Sequence, residues 1–274
     1  MDDTKQIRIL LIEDNSGDAR LMREALAGVR DVSFEVEWVE RLWLGMKRLA
    51  EGGIDVVLLD LALPDSQGLD TLVRVQTEAP EVPIVVLTGL DEKALAVEAM
   101  QKGAQDFLGK GYVQENSNVL ARSIRYAIER KRVEEKLRET NQTLRTVIQA
   151  SPMPIMALDP DGNVKMWNLA AERTFGWTEE EVRGRPLPIV AAEKQEEFRA
   201  LRQIVLQGQE LTGVEVRRQK KDGSPIDVSL SVAPLRDTRG RVVGVIVVVT
   251  DATPRKQVER LKDEADHPLP NRSP

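Results

Sequence analysis

Three short apolar runs, unbroken by a polar residue, punctuate the first 120 residues: Ile9-Leu10-Leu11-Ile12, Val56-Val57-Leu58-Leu59 and Ile84-Val85-Val86-Leu87. A strand with one wet face alternates apolar and polar residues. A strand covered on both faces does not. Weaker strand candidates lie at 32–39 and 104–108. Helix-like stretches near 17–28, 41–51, 67–78 and 91–102 separate the runs, and Gly52, Gly53 and Gly103 punctuate helix ends. Five β–α units of this kind predict a parallel, doubly wound α/β sheet.

The residues just past each run carry the chemistry. The first run ends at Glu13-Asp14, the run at 56–59 at Asp60, the run at 84–87 at Thr88, and the candidate at 104–108 leads to Lys110. Strand C-termini in such a sheet converge on one edge, where ligands bind. Three carboxylates gathered there repel one another and call for a hard dication such as Mg²⁺. A carboxylate can accept a phosphoryl group, provided that metal, ammonium and hydroxyl balance the transferring oxygens. Asp60 is the expected nucleophile, Glu13 and Asp14 the metal holders, and Lys110 and Thr88 the phosphate partners.

A gap-free helix is expected over 116–149, with Val133, Leu137, Thr140, Leu144 and Val147 spaced as a coiled-coil seam. Pairing with a second copy would cover that seam; a solvated linker helix is the alternative. After Ser151-Pro152-Met153-Pro154 the pattern changes to short strands and turns. A hairpin is expected across 155–167, helices after Asn168 and Thr178 and over 191–208, and strands at 210–219, 225–234 and 241–250. Thr253-Pro254 would open a further helix, ended by Pro268, Pro270 and Pro274.

Composition narrows the function. There is no cysteine, so thiolate chemistry and disulfides are excluded, and a reducing cytosol suits the chain. The one histidine, His267, leaves no zinc cluster or Ser-His-Asp hydrolase to build. The net charge is -6, with no strongly basic segment, so nucleic acid is not an expected partner. No apolar run approaches the ~20 residues of a membrane span. The acidic N-terminus does not read as a signal peptide. A soluble, cytoplasmic protein is expected.

Residues 5–126 resemble a response-regulator receiver domain, a flavodoxin-like fold. The carriers are Ile9-Leu10-Leu11-Ile12-Glu13-Asp14-Asn15, Leu58-Leu59-Asp60-Leu61-Ala62-Leu63-Pro64-Asp65, Val86-Leu87-Thr88-Gly89 and Gly103-Ala104-Gln105-Asp106-Phe107-Leu108-Gly109-Lys110. The resemblance implies that Asp60 takes phosphate from a sensor histidine kinase with Mg²⁺ bound. It implies that the Ala62 carbonyl completes the metal site, and that Phe107 is an aromatic switch; a plain core aromatic is the other reading. Gly111 stands where the family usually has proline, so a cis peptide is not expected there. Ala62 and Leu90 offer no side chain to position water.

Residues 145–253 resemble a PAS domain, an α+β fold on an antiparallel sheet. The carriers are Ile148-Gln149-Ala150-Ser151-Pro152, Asp159-Pro160-Asp161-Gly162-Asn163, the run Trp167 to Trp177, Glu180-Glu181-Val182-Arg183-Gly184, Lys221-Asp222-Gly223-Ser224 and Asp251-Ala252-Thr253. Asp251 and Thr253 match the family's exit into a signalling helix. Trp167 and Trp177 are candidates to line a pocket or to pack the core. A cysteinyl-flavin adduct lacks its cysteine, and a histidine-ligated haem lacks a histidine within the domain, so the ligand stays open.

The expected organisation is a receiver over 1–126, a helical coiled-coil linker over 127–149, a PAS domain over 150–253 and a signalling-helix stub with a Pro-rich tail over 254–274. A homodimer through 116–149 is expected. The expected function is phosphorelay signalling by a phosphoacceptor with slow self-dephosphorylation, not by an enzyme. Three alternatives stand beside it. One is a truncated hybrid histidine kinase, since Glu259-Arg260-Leu261-Lys262-Asp263-Glu264 resembles the entry to a kinase dimerisation helix while neither an ATP loop nor a phosphoacceptor histidine motif is present. Another is an aspartyl-phosphate phosphatase, which Ala62 disfavours because haloacid-type enzymes carry a second Asp there. The third is a scaffold indifferent to Mg²⁺.

Overall fold

The computed structural model describes residues 6–29, 32–89 and 93–252. The chain divides into two compact units, 1–140 and 141–274.

The first unit opens with β1 (Gln6–Ile12), α1 (Ser16–Ala27), β2 (Ser33–Val39), α2 (Leu42–Ala50) and β3 (Val56–Asp60). A two-stranded ribbon comes next, β4 (Ala62–Leu63) with β5 (Ser66–Gln67), then α3 (Leu69–Glu78), β6 (Ile84–Thr88), α4 (Lys93–Gln101), β7 (Asp106–Gly109) and α5 (Lys110–Glu115). Five strands form a parallel sheet in the order β2-β1-β3-β6-β7. This is the doubly wound flavodoxin-like order, with β1 and β3 at the switch point.

The unbroken apolar runs are explained by two cores. Ile9, Leu11, Val56, Leu58, Val85 and Leu87 pack under α1 and the start of the long helix, against Met22, Leu26, Leu120 and Ile124. Their neighbours Leu10, Ile12, Val57, Leu59 and Val86 face the other way, onto Leu42, Leu49, Leu72 and Val75. Each fully buried leucine or isoleucine contributes roughly 1.5–3 kcal/mol. Polar residues at alternate positions would therefore empty one core or the other.

One expected strand is shifted along the chain. The strand expected at 104–108 runs Asp106–Gly109, and Lys110 begins α5 instead of ending the strand. Ala104 is buried ahead of the strand, its amide bonded to the Ala99 carbonyl as α4 finishes. The expected long helix is present as α6, Ser117–Ala150. Its first turns are core, with Leu120, Ala121, Ile124 and Ala127 buried, while Val133, Leu137, Leu144 and Val147 are exposed.

The second unit holds β8 (Ile155–Leu158), β9 (Val164–Trp167), α7 (Leu169–Phe175), α8 (Glu179–Val182), a 3₁₀ turn (Ala192–Lys194), α9 (Gln195–Leu206), β10 (Leu211–Gln219), β11 (Pro225–Arg236) and β12 (Val242–Asp251). The sheet is antiparallel, ordered β10-β11-β12-β8-β9, as is typical of PAS domains. Asn168 caps α7, and Thr178 with Glu181 closes the expected capping box on α8. Gly176 ends α7 at φ 82°, a left-handed cap that disfavours a side chain.

Candidate functional site

The parallel registers bring the strand ends level. Ile12 pairs with Leu59, Asp60 with Leu87, and Thr88 with Gly109. Glu13, Asp60, Thr88 and Lys110 therefore arrive at one edge, each one residue from its neighbour's strand end. Glu13, Asp60 and Thr88 are buried, while Asp14 is exposed. Oxygens of Glu13, Asp14 and Asp60 all lie within 4.8 Å of one another.

Lys110 is the hub. Its Nζ donates to Asp60 Oδ2 at 2.7 Å and to Asp18 Oδ2 at 2.9 Å. Glu13 Oε2 lies 2.8 Å away as an ion pair outside hydrogen-bond geometry, and this buried oxygen has no other partner. Burial alone would lower the Lys110 pKa, yet its bonds to the surrounding carboxylates raise it above the usual lysine value. Burial, aided by the nearby Asp60 charge and opposed by Lys110, pushes Glu13 up to about 7. Asp60 Oδ1 accepts from the Ala62 amide at 3.0 Å, which fixes the carboxylate plane at the strand end.

The surroundings hold this edge in place. Asn15 caps α1 by accepting from the Gly17 and Asp18 amides, and the Asn15 amide donates to Glu13 Oε1 at 3.2 Å. The Trp38 indole donates to the Glu13 carbonyl at 2.7 Å. Five residues past Asp60, the Asp65 carboxylate accepts from the Leu42 and Trp43 amides at 2.9 and 3.0 Å and so caps α2.

The donor set suits a hard divalent cation. It is all oxygen, it includes the buried Glu13 Oε2 whose partner is the Lys110 ion pair, and three carboxylates, Glu13, Asp18 and Asp60, pair with a single ammonium. Magnesium is among the ions such a set would take.

Thr88 points its hydroxyl toward the Leu108 carbonyl at 3.5 Å, the outer limit of a hydrogen bond. Phe107 is 40% exposed, so its ring is not core packing here. Beside it, Asp106 accepts a short hydrogen bond from Ser123 of α6. Sequence reasoning missed Asp18, Asp65, Asp106 and Ser123. Asp18 carried a usable signal, since an Asn15 cap places it in the first helical turn facing the same edge.

In the second unit, Asp251 ends β12 and is exposed, while Thr253 lies outside the described residues. A cavity of about 40 Å³ is enclosed by Met156, Leu158, Ile189, Leu230, Val247 and the buried Arg218, among others. That is well short of the ~150 Å³ that admits benzene. Neither Trp167 nor Trp177, candidates to line a pocket or to pack the core, is among the residues lining this cavity. Trp167 is wholly buried against Phe175, with its indole donating to the Trp177 carbonyl at 2.9 Å. Trp177 lies partly buried beneath Lys221, whose Nζ stands 5.0 Å from the ring centre. Aromatic bulk drew both side chains into contact with the domain's own core.

Comparison with known proteins agrees with these two units. Residues 9–122 match the response regulator receiver domain family, and residues 142–252 match the PAS fold family. The swarming motility regulation protein RssB of Serratia marcescens is 34% identical over 106 residues, 39% of this chain and 47% of that protein. The transcriptional regulatory protein QseB of Haemophilus influenzae is 36% identical over 107 residues, with the same two coverages of 39% and 47%. The chain thus spans about half the length of these curated relatives. A receiver domain structure from Clostridium thermocellum is 28% identical, covering 46% of this chain and 98% of that one, with a TM-score of 0.41. Among the described residues, no helix is long and apolar enough to cross a membrane. The chain carries a response regulator receiver domain followed by a PAS domain.

Proposed function

We propose that this protein accepts a phosphoryl group on Asp60 from a histidine kinase and passes the resulting change through α6 to its PAS domain. The observation that carries this reading is the pairing of Asp60 with Lys110 at 2.7 Å, inside a carboxylate cluster at the sheet edge. Asp60 Oδ attacks phosphorus, the phosphorus–nitrogen bond to the donor histidine breaks, and the imidazole leaves. The Ala62 amide orients the attacking carboxylate. The Lys110 ammonium meets the incoming negative charge, and the Thr88 hydroxyl turns from Leu108 to donate to a phosphoryl oxygen. Glu13, Asp14, Asp60 and the Ala62 carbonyl would hold Mg²⁺, which when bound neutralises charge on the transferring oxygens. The chain acts as a phosphoacceptor with slow self-dephosphorylation, in the cytoplasm, and not as a kinase.

The output path in this reading runs along β7. Phe107 sits in register with Val86, two residues before Thr88, and Asp106 is bonded to Ser123 of α6. Movement of Thr88 and Phe107 is thereby felt at the helix that continues to Ala150. We assign the receiver to residues 1–126, the linker to 127–149, the PAS domain to 150–253 and a signalling stub to 254–274, with Asp251 and Thr253 as the exit. Two copies pair through 116–149.

The test is intact mass after incubation with acetyl phosphate and Mg²⁺. One phosphoryl group is expected on the parent chain. None is expected on Asp60→Asn, or on the parent with excess chelator. Uptake by Asp60→Asn would overturn the site assignment.

A further inference from the structure

Lys110 is shared in an unequal way. Two of its carboxylate neighbours, Glu13 and Asp60, end strands of the sheet and are buried. The third, Asp18, comes from the first turn of α1, and its side chain is 31% exposed. Asp18 is not part of the close oxygen grouping formed by Glu13, Asp14 and Asp60. Its near oxygen instead bonds the ammonium from the solvent side at 2.9 Å. The cluster would be more nearly neutral without it, so its place asks for a role.

We infer that Asp18 is a positioning residue that holds Lys110 in the resting state and competes with the phosphoryl group for it. This rests on the phosphoacceptor reading above. A phosphoryl group on Asp60 needs the ammonium for its own oxygens. To supply it, Lys110 must loosen its bond to Asp18, whose α1 backbone is fixed by the Asn15 cap. Asp18 thus sets how costly it is to bring Lys110 onto the phosphoryl group. It touches neither the reacting oxygen nor phosphorus in this role, and acts through the lysine.

The probe is beryllofluoride, a non-covalent mimic that binds an aspartate oxygen as a phosphoryl group would. Its affinity is measured by calorimetry at fixed Mg²⁺ on the full chain. Asp18→Asn keeps the shape and a hydrogen-bonding group but removes the charge. It is expected to bind the mimic about fivefold more tightly, the scale of one partly exposed ion pair released. Asp18→Glu keeps the charge and should stay near the parent.

A double-mutant cycle with Lys110→Ala separates action through the lysine from simple charge repulsion. The gain from Asp18→Asn should vanish in the Lys110→Ala background. An equal gain in both backgrounds overturns the inference, as does no gain in the first. A gain for Asp18→Glu matching that of Asp18→Asn also overturns it. If the parent chain binds no mimic and takes up no phosphoryl group, the phosphoacceptor reading falls and this inference falls with it. If the parent binds the mimic and Asp18→Asn binds equally, only this inference falls.

Discussion

The side chain of Asn168 reaches back twenty residues along the chain to hold the end of α6, donating to the Ile148 carbonyl at 3.0 Å. The same amide nitrogen donates to the Met153 carbonyl at 2.9 Å, and the amide oxygen accepts from the Ile155 and Ala171 amides, each at 2.9 Å. A fully buried side chain thus joins the helix end, the first PAS strand and the start of α7. The Leu169 amide adds a bond to the Gln149 side chain at 2.9 Å.

Replacing Asn168 with alanine would leave the Ile155 and Ala171 amides without their side-chain acceptor, while the Ile148 and Met153 carbonyls keep their bonds from Ser151. Because one orphaned group costs about 1–3 kcal/mol and neighbouring losses do not add fully, a destabilisation of about 3 kcal/mol is expected. Urea unfolding of the full chain, combined with hydrogen exchange at β8 and α7, measures it. Exchange in the receiver strands should not change. A loss below about 1 kcal/mol would mean that water replaces the amide at no great cost, and the joint would not be structural.

Glu37 of β2 and Arg48 of α2 form a two-point pair, with Arg48 Nη2 donating to Oε1 at 2.7 Å and Nε to Oε2. The Arg48 hydrogen bonds hold the Glu37 carboxyl below the usual carboxylate range. A carboxyl whose folded-state pKa is lowered contributes stability above its unfolded value, near ~4.3, and loses it as pH falls through the folded value. Glu37→Gln is therefore expected to cost roughly 1 kcal/mol at neutral pH, a figure kept low because the pair is partly exposed. Below that window the cost should vanish. Thermal melts of both chains from pH 7 down to pH 3 test the crossing. A difference that persists at the acid end would show that packing, not the charge, sets it.

The strand-end residues were legible because apolar runs fix where strands stop, and a parallel sheet fixes where those stops meet. Glu13, Asp60 and Thr88 could each be numbered from that logic alone. Asp18 escaped it because it belongs to a helix, where no run ends and one acidic residue in a first turn looks like ordinary dipole compensation. Lys110 was legible as chemistry but not as geometry, since the strand stops at Gly109 and the lysine opens a short helix. In the PAS domain the strand segments were legible from the turns between them. The cavity was not, because its walls are mostly common aliphatic residues drawn from six separated segments. The tryptophans stood out in the sequence by rarity, and rarity does not say which way a ring faces.

Val133, Leu137, Leu144 and Val147 remain exposed along one stripe of α6, with the equally exposed Thr140 in the weak seam position. A helix whose other positions are mostly Arg, Lys and Glu has little to hold it straight in water by itself. Four aliphatic side chains, with Thr140 completing a 4-3-4-3 stripe, provide that support when a second copy packs against them, each knob filling a gap between its partner's side chains. The expected outcome is a dimer of the full chain in sedimentation equilibrium. Leu137→Arg with Leu144→Arg would set like charges against each other across the seam, and this double variant is expected to sediment as a monomer. Both positions are exposed in the single chain, so the receiver and PAS units should melt as in the parent. If the double variant stays dimeric, the copies pair elsewhere, and the stripe belongs to a different partner.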